Sequence, residues 1–330
     1  MRGYWKMAMA AAFAACLLMM PRQAADAARA AMETWARFVL PAAFPFAAVM
    51  PFLTCGEARK VYDRLLGGVV RWLFDLPGGC ASAIVAGLLA GSPAGAMAVA
   101  RVARDEHLTA GQTARLAGIA CGVSPAYVIS ALGVLLAGST EIGWRLEIAQ
   151  ALSLLTTGML FRSRWRDADD VCETYPIYKE ENPVAAAAMA MLRVCGYMIL
   201  FSVGLEVAAS LLGEKVKPLS LLLDLPSGAA YAAKNGLPTV WTAAALGFGG
   251  LCILEQCMGI LRDCGVRWRW LLEQKITSGI LCAGFYVLVT KSGLSLRGEP
   301  NWESMCLLLL VLMVPILTVF VGKRRKKIYS

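Results

Sequence analysis

Gly87-Leu-Leu-Ala-Gly-Ser-Pro-Ala-Gly95 lies in the middle of an apolar run, and its reading decides the fold. Gly91, Ser92, Pro93 and Gly95 are poor residues for the interior of a membrane helix, because Pro lacks a backbone donor and Gly gives up rigidity. Hydrocarbon offers unpaired backbone groups no partner, so a break at membrane depth is tolerated only where protein or a water-filled cavity surrounds it. Two geometries satisfy the pattern. Residues 78–104 form two short helices meeting at a tip, a re-entrant hairpin with Ser92 in the turn, or they form one helix kinked at Pro93.

Of the 330 residues, 58% are hydrophobic and 17% charged, the balance of a polytopic membrane protein. The formal net charge of +9 falls in short basic clusters between apolar segments. Such clusters act as orientation signals at a lipid bilayer and do not indicate nucleic acid. The 11 Cys are scattered, without close-spaced pairs or His partners, so neither a metal site nor a disulfide framework is signalled. One His, His107, is present, and no Ser or Cys sits in a motif with a base. The pattern therefore argues against an enzyme and requires no cofactor. No Walker-type loop is present for ATP-driven transport.

Working outward, residues 4–20 form an apolar segment after Arg2 and Lys6. It fits a signal peptide, but Leu17-Leu-Met-Met-Pro21 is a poor cleavage site, which favours a retained first span. A second span over 36–55 carries Pro41, Pro45 and Pro51 and is expected to be irregular. Residues 57–75 set Arg59, Lys60, Arg64 and Arg71 against Val61, Leu65, Leu66, Val69, Trp72 and Leu73, the pattern of an amphipathic helix in the headgroup plane. Thr109 is a plausible N-cap for a helix reaching about residue 138, broken at Cys121-Gly-Val-Ser-Pro125. Spans at 142–161, 184–212, 268–290 and 303–322 complete the set, and Lys323-Arg-Arg-Lys-Lys327 marks a cytoplasmic end.

In the second half, Asp224 and Ser227-Gly228 stop an apolar run, and Gly247-Phe-Gly-Gly250 interrupts another. Apolar arms flank this glycine cluster as they flank Ser92, which makes it the expected tip of a second hairpin. The two units then align Gly91 with Gly249, Arg104 with Arg262 and Asp105 with Asp263. An inverted repeat needs the hairpins to enter from opposite faces, whereas the basic tail is placed on the side of Arg59 and Arg104 only if 237–262 is one full span. The two requirements conflict.

Leu40-Pro-Ala-Ala-Phe-Pro-Phe46, Gly91-Ser-Pro-Ala-Gly95, Ser124-Pro125, Gly196-Tyr-Met-Ile-Leu-Phe-Ser-Val203 and Gly247-Phe-Gly-Gly-Leu251 occur in an order that resembles the sporulation integral membrane protein family of the YlbJ type, with its nucleoside recognition, or Gate, core. The resemblance spans nearly the whole chain. It departs at the first tip, where the family often has Gly-Tyr-Pro-Ala-Gly, and at 121–124, where the family is Asn-rich. The order of elements is also similar to that of concentrative nucleoside transporters. The fold implied is an all-α polytopic membrane protein of two repeats, each with a re-entrant hairpin and a broken transmembrane helix. N-terminal spans occupy 1–56, the interfacial helix 57–76, the first repeat 77–161, a polar loop 162–183, the second repeat 184–322 and the basic tail 323–330.

The resemblance implies movement of a small anion, dipicolinate, across a bacterial cell or forespore membrane. Helix N-termini at such breaks offer unpaired N–H groups to an anion. The expected substrate contacts are Gly91, Ser92, Pro93, Gly95, Ser124, Pro125, Ser227, Gly247 and Gly249, with Asp224, Glu255 and Gln256 for a coupling cation or proton. Small residues in membrane helices also serve close packing alone, so a non-transporting scaffold of sporulation stays open beside a transporter, as does homo-oligomerisation.

Overall fold

The computed structural model describes residues 2–54, 56–165 and 182–291. The expected span at 303–322, the basic tail and most of the 162–183 loop lie outside these residues. Among the described residues every regular element is helical. Four helices are long and apolar enough to cross a membrane: Pro21–Phe52, Ala110–Leu136, Pro183–Leu212 and Thr239–Cys264.

The N-terminal segment forms α1 (Arg2–Met19) and α2 (Pro21–Thr34), which passes through a π turn at Trp35–Val39 into α3 (Leu40–Thr54). Pro45 and Pro51 stand inside α3 without ending it. The π turn before them is the irregularity that the prolines lead one to expect. The amphipathic segment is α4 (Gly56–Phe74). Tyr62, Val70 and Phe74 turn into the protein, while Leu65, Leu66, Val69 and Trp72 stay exposed, as they would on a helix lying against lipid. The chain then bends by 106° into the next helix.

Residues 78–105 form a hairpin and not a kinked helix. α5 (Ala81–Ala90) and α6 (Ala94–Asp105) are joined by Gly91-Ser92-Pro93, with Gly91 at φ 64° and a cis Ser92–Pro93 bond. A methyl group on Gly95 would stand 3.0 Å from the Gly87 Cα, and one on Gly79 would strike the Glu106 carboxylate. Contacts near the tip and again at the base mean that the arms run antiparallel. Arg59 of α4 clamps the base, at 2.7 Å from Asp105, 2.5 Å from Glu106 and 3.3 Å from Asp63. Burial raises the Asp63 carboxyl above its ordinary range, against the pull of Arg59.

After a capping box of Thr109 and Gln112, α7 (Ala110–Ala120) stops, residues 121–124 are unwound, and α8 (Pro125–Tyr127) continues as a π stretch to Leu136. This is the broken helix expected from Cys121-Gly-Val-Ser-Pro125. α9 (Thr140–Leu160) follows, then α10 (Pro183–Leu212).

The second half differs from expectation. α11 (Ser220–Leu223) and α12 (Leu225–Lys234) fold back on each other at Asp224, so that a methyl group on Gly228 would stand 2.5 Å from the Leu221 Cα. The hairpin of this half is therefore tipped at Asp224 and not at Gly247–Gly250. α13 (Thr239–Phe248) and α14 (Gly250–Leu261) form a single span interrupted at Gly249. The register against α15 (Trp268–Lys291) makes this plain. Glu255 bonds Trp268, Gly249 faces Lys275, Gly247 faces Ser278 and Ala244 faces Gly279, a steady antiparallel progression that a hairpin would reverse at its tip.

α9 and α15, of 21 and 24 residues, are long enough to cross a bilayer at about 1.5 Å per residue. They are less apolar because their polar residues face inward, Gln150, Ser153 and Thr157 on α9 and Gln274, Lys275 and Ser278 on α15, all buried. The two helices meet at Ser153 and Ser278, whose hydroxyls lie 3.1 Å apart.

Single cysteines introduced at Gly236 and Gly265, in a protein otherwise free of cysteine, test the path of 239–264. They are expected to react with a membrane-impermeant thiol reagent from opposite faces of sealed vesicles. Labelling from one shared face would restore the hairpin.

Candidate functional site

A helix that stops inside the protein leaves carbonyls at one end and amides at the other without partners. At the first interruption each is met by a different element. Gly122 C=O accepts from the Ser92 N–H at 2.8 Å. Val123 is held twice by Gln150 of α9, whose Nε2 donates to its carbonyl at 2.8 Å and whose Oε1 accepts from its N–H at 3.4 Å. Cys121 C=O accepts from the Lys275 ammonium. Ser124 caps α8, accepting from the Tyr127 N–H at 3.4 Å.

The second interruption is built by glycine. Gly249 and Gly250 have φ of 81° and 80°, a conformation L side chains adopt rarely. The tip of the second hairpin sits against it, with Leu223 C=O and Leu225 N 3.1 and 3.3 Å from where a Gly250 methyl would be. The tip is held by Asp224, whose Oδ2 accepts from the Ser227 N–H at 3.1 Å and from its hydroxyl at 2.6 Å.

The first tip likewise presses on the first interruption. A methyl on Gly91 would strike Ser124 N, and one on Gly95 would strike Ala120 C=O. Ser92 also reaches the second half, its Oγ lying 3.3 Å from Cys257 Sγ of α14. Between the tips lies a cavity of about 50 Å³, walled by Ser92, Ser124, Tyr127, Asp224, Cys252 and Gln256 with apolar residues of α3 and α10. That is room for a few water molecules.

Ser92, Ser124, Asp224 and Gln256 thus line one cavity. Gly91, Pro93, Gly95, Pro125 and Ser227 stand beside them and shape the backbone. Gly247 instead packs against Ser278 and Cys282 of α15, and Gly249 faces Ile253 and Lys275. Glu255 accepts from Trp268 Nε1 at 2.8 Å and does not line the cavity. Two polar residues that hold the first interruption, Gln150 and Lys275, were not expected. Their signal is a polar side chain inside an apolar span, which marks a site by default when it is ionisable.

The wall holds a carboxylate, an amide, two aliphatic hydroxyls, a phenol and a thiol, but no basic side chain. The N-termini of α8 and α12 are capped by Ser124 and Asp224, so these two helix starts are not the open anion cradles that the sequence suggests. A carboxylate here suits a proton, a cation or a hydrogen-bonding neutral group.

The chain is similar to the sporulation integral membrane protein YlbJ of Bacillus subtilis (strain 168), with 22% identity over 320 residues covering 82% of this chain and 78% of that protein. No family model matches the chain, and no solved structure matches it. The likeness supports the YlbJ-type resemblance, and together with the four apolar helices it makes this a multi-pass integral membrane protein.

Gln150→Leu is expected to leave both polar groups of Val123 unpaired and buried, at about 1–3 kcal/mol each. Thermal unfolding in detergent should show a loss of several degrees, with Gln150→Asn falling between. Unchanged unfolding would mean that Gln150 does not hold the interruption.

Proposed function

We propose that the chain is a sporulation-linked transporter or facilitator of a bacterial membrane, with its solute site where the two hairpin tips meet the two helix interruptions. One observation carries this reading: a largely apolar cavity into which Ser92, Ser124, Asp224 and Gln256 converge from both halves lies where backbone is unwound at membrane depth. Irregular backbone there is the mark of a site in secondary transporters.

Two inverted repeats account for the arrangement. Each consists of a hairpin, an interrupted helix and a straight helix. Pro93-Ala-Gly95 and Pro226-Ser-Gly228 follow the two tips, and Gln150-x-x-Ser153 on α9 matches Lys275-x-x-Ser278 on α15. With 239–264 as one crossing, three crossings separate the hairpins, which enter from opposite faces as an inverted repeat requires. If the apolar run 303–322 crosses as its sequence leads one to expect, the basic tail falls on the side of Arg59 and Arg104, and the charge pattern no longer conflicts. This order is the basis for assigning a Gate-like core similar to that of concentrative nucleoside transporters. It implies nothing about a nucleoside substrate.

Dipicolinate is the substrate that the resemblance implies. Asp224 in the wall means that such a dianion passes with protons or a cation that offset the charge. A non-transporting scaffold is the second reading. It is favoured by the glycines at 91 and 95, whose packing needs account for them without any ligand.

Dipicolinate uptake into proteoliposomes tests the two. Saturable uptake in the wild type is expected, lost about tenfold or more in Ser92→Leu. In Asp224→Asn it should persist only with altered dependence on pH or cation. Absence of uptake of dipicolinate and of nucleosides, by folded protein under several ion gradients, would favour the scaffold.

A further inference from the structure

Lys275 is 2% exposed, in the first half of α15, which packs against α7, α9 and α13. A buried ammonium ordinarily requires a carboxylate or a water-filled cavity, because removing its hydration is costly. Among the described residues no carboxylate forms an ion pair with it. The ionisable groups that face it are the thiols of Cys121 and Cys257, and its ammonium donates to Cys121 C=O. It also lies 3.7 Å from where a Gly249 Cβ would stand.

Its position relative to the half-helices supplies the missing negative charge. Cys121 is the C-cap of α7 and Gly249 the C-cap of α13. α7 therefore ends on the ammonium through the Cys121 carbonyl, and α13 ends beside it at Gly249, each turning the negative end of its dipole toward the charge. Unwound carbonyls and half-helix C-termini are the groups that coordinate small coupling cations in secondary transporters. On α9 the matching position is the neutral Gln150, which serves one interruption only.

We propose that Lys275 is a built-in cation. Its ammonium fills a cation site formed by the C-terminal ends of α7 and α13, and it joins the interruptions of the two halves without a metal ion. The role in transport rests on the reading above, in that a fixed ammonium leaves Asp224 to carry any proton or cation that accompanies the solute. The cation position itself rests on geometry alone.

Thermal unfolding of purified wild type, Lys275→Ala and Lys275→Met separates these. The melts are run in choline, sodium, lithium and methylammonium chloride at equal ionic strength and pH. The wild type is expected to melt at one temperature in all four salts. Lys275→Ala vacates the site without closing it, so it should be destabilised in choline. It should regain about 3 °C or more, saturably, with methylammonium or a small alkali cation. Lys275→Met fills the space without the charge and should be destabilised with no recovery. A Lys275→Met protein as stable as wild type, or a Lys275→Ala protein that responds to no cation, would overturn the proposal.

If Lys275→Ala yields no folded protein in choline, solubilisation in methylammonium or sodium is the same test. Recovery of a monodisperse species supports the cation site, and failure to recover while Lys275→Gln folds without cation response overturns it. A cation-dependent melt in a variant whose wild type transports nothing would keep the cation site and discard the transport reading.

Discussion

Two helices stop inside an apolar protein, and the arrangement around the candidate site follows from the need to pair the backbone groups they expose. Hydrocarbon offers them no partner at that depth, and the chain itself supplies most of what they need. Ser92 N–H, the Gln150 amide and the Lys275 ammonium meet the carbonyls of residues 121–123. The second tip meets Gly250. This pairing explains why α9 carries the buried Gln150 and α15 the buried Lys275. It also explains why Gly91 and Gly95 lack side chains, since backbone of the first interruption occupies the space a Cβ would need.

The first unit was legible because its break combines glycine and proline within a long apolar run. Only the choice between hairpin and kink needed the structure, and the contact of Gly79 with Glu106 decides it. The second unit was misplaced for a physical reason. Gly247-Phe-Gly-Gly250 with apolar arms has the composition of a tip, yet two positive-φ glycines also let a single span change course without turning back. The true hairpin has a short first arm, beginning in the 3₁₀ turn Glu214–Leu219. Its Glu214, Lys215 and Lys217 interrupt the apolar pattern that would mark an arm. The clue in the sequence is Pro226-Ser-Gly228, which repeats Pro93-Ala-Gly95.

Of the candidate site, the residues that break helices were readable and those that mend the breaks were not. Ser92, Ser124 and Asp224 sit at turns, where sequence announces them. Gln150 and Lys275 are distant in sequence from the groups they bond and look like isolated polar residues within a span. The charge of the site shifted for the same reason. Free helix N-termini suggest an anion, but Ser124 and Asp224 occupy two of them. What lines the cavity is an acid with hydrogen-bonding neighbours, and the buried positive charge stands behind the first interruption, outside the cavity wall.

In the proposed transporter, the first hairpin tip and α14 meet at the solute site and part for passage. Disulfide trapping tests it directly, using Ser92→Cys in a protein whose only other cysteine is Cys257, since the Ser92 hydroxyl and Cys257 thiol lie 3.3 Å apart. The account predicts rapid cross-linking under mild oxidant, loss of dipicolinate uptake in proportion to the cross-linked fraction, and recovery with a reductant. Undiminished uptake by a fully cross-linked protein, or no cross-link at all, would contradict it.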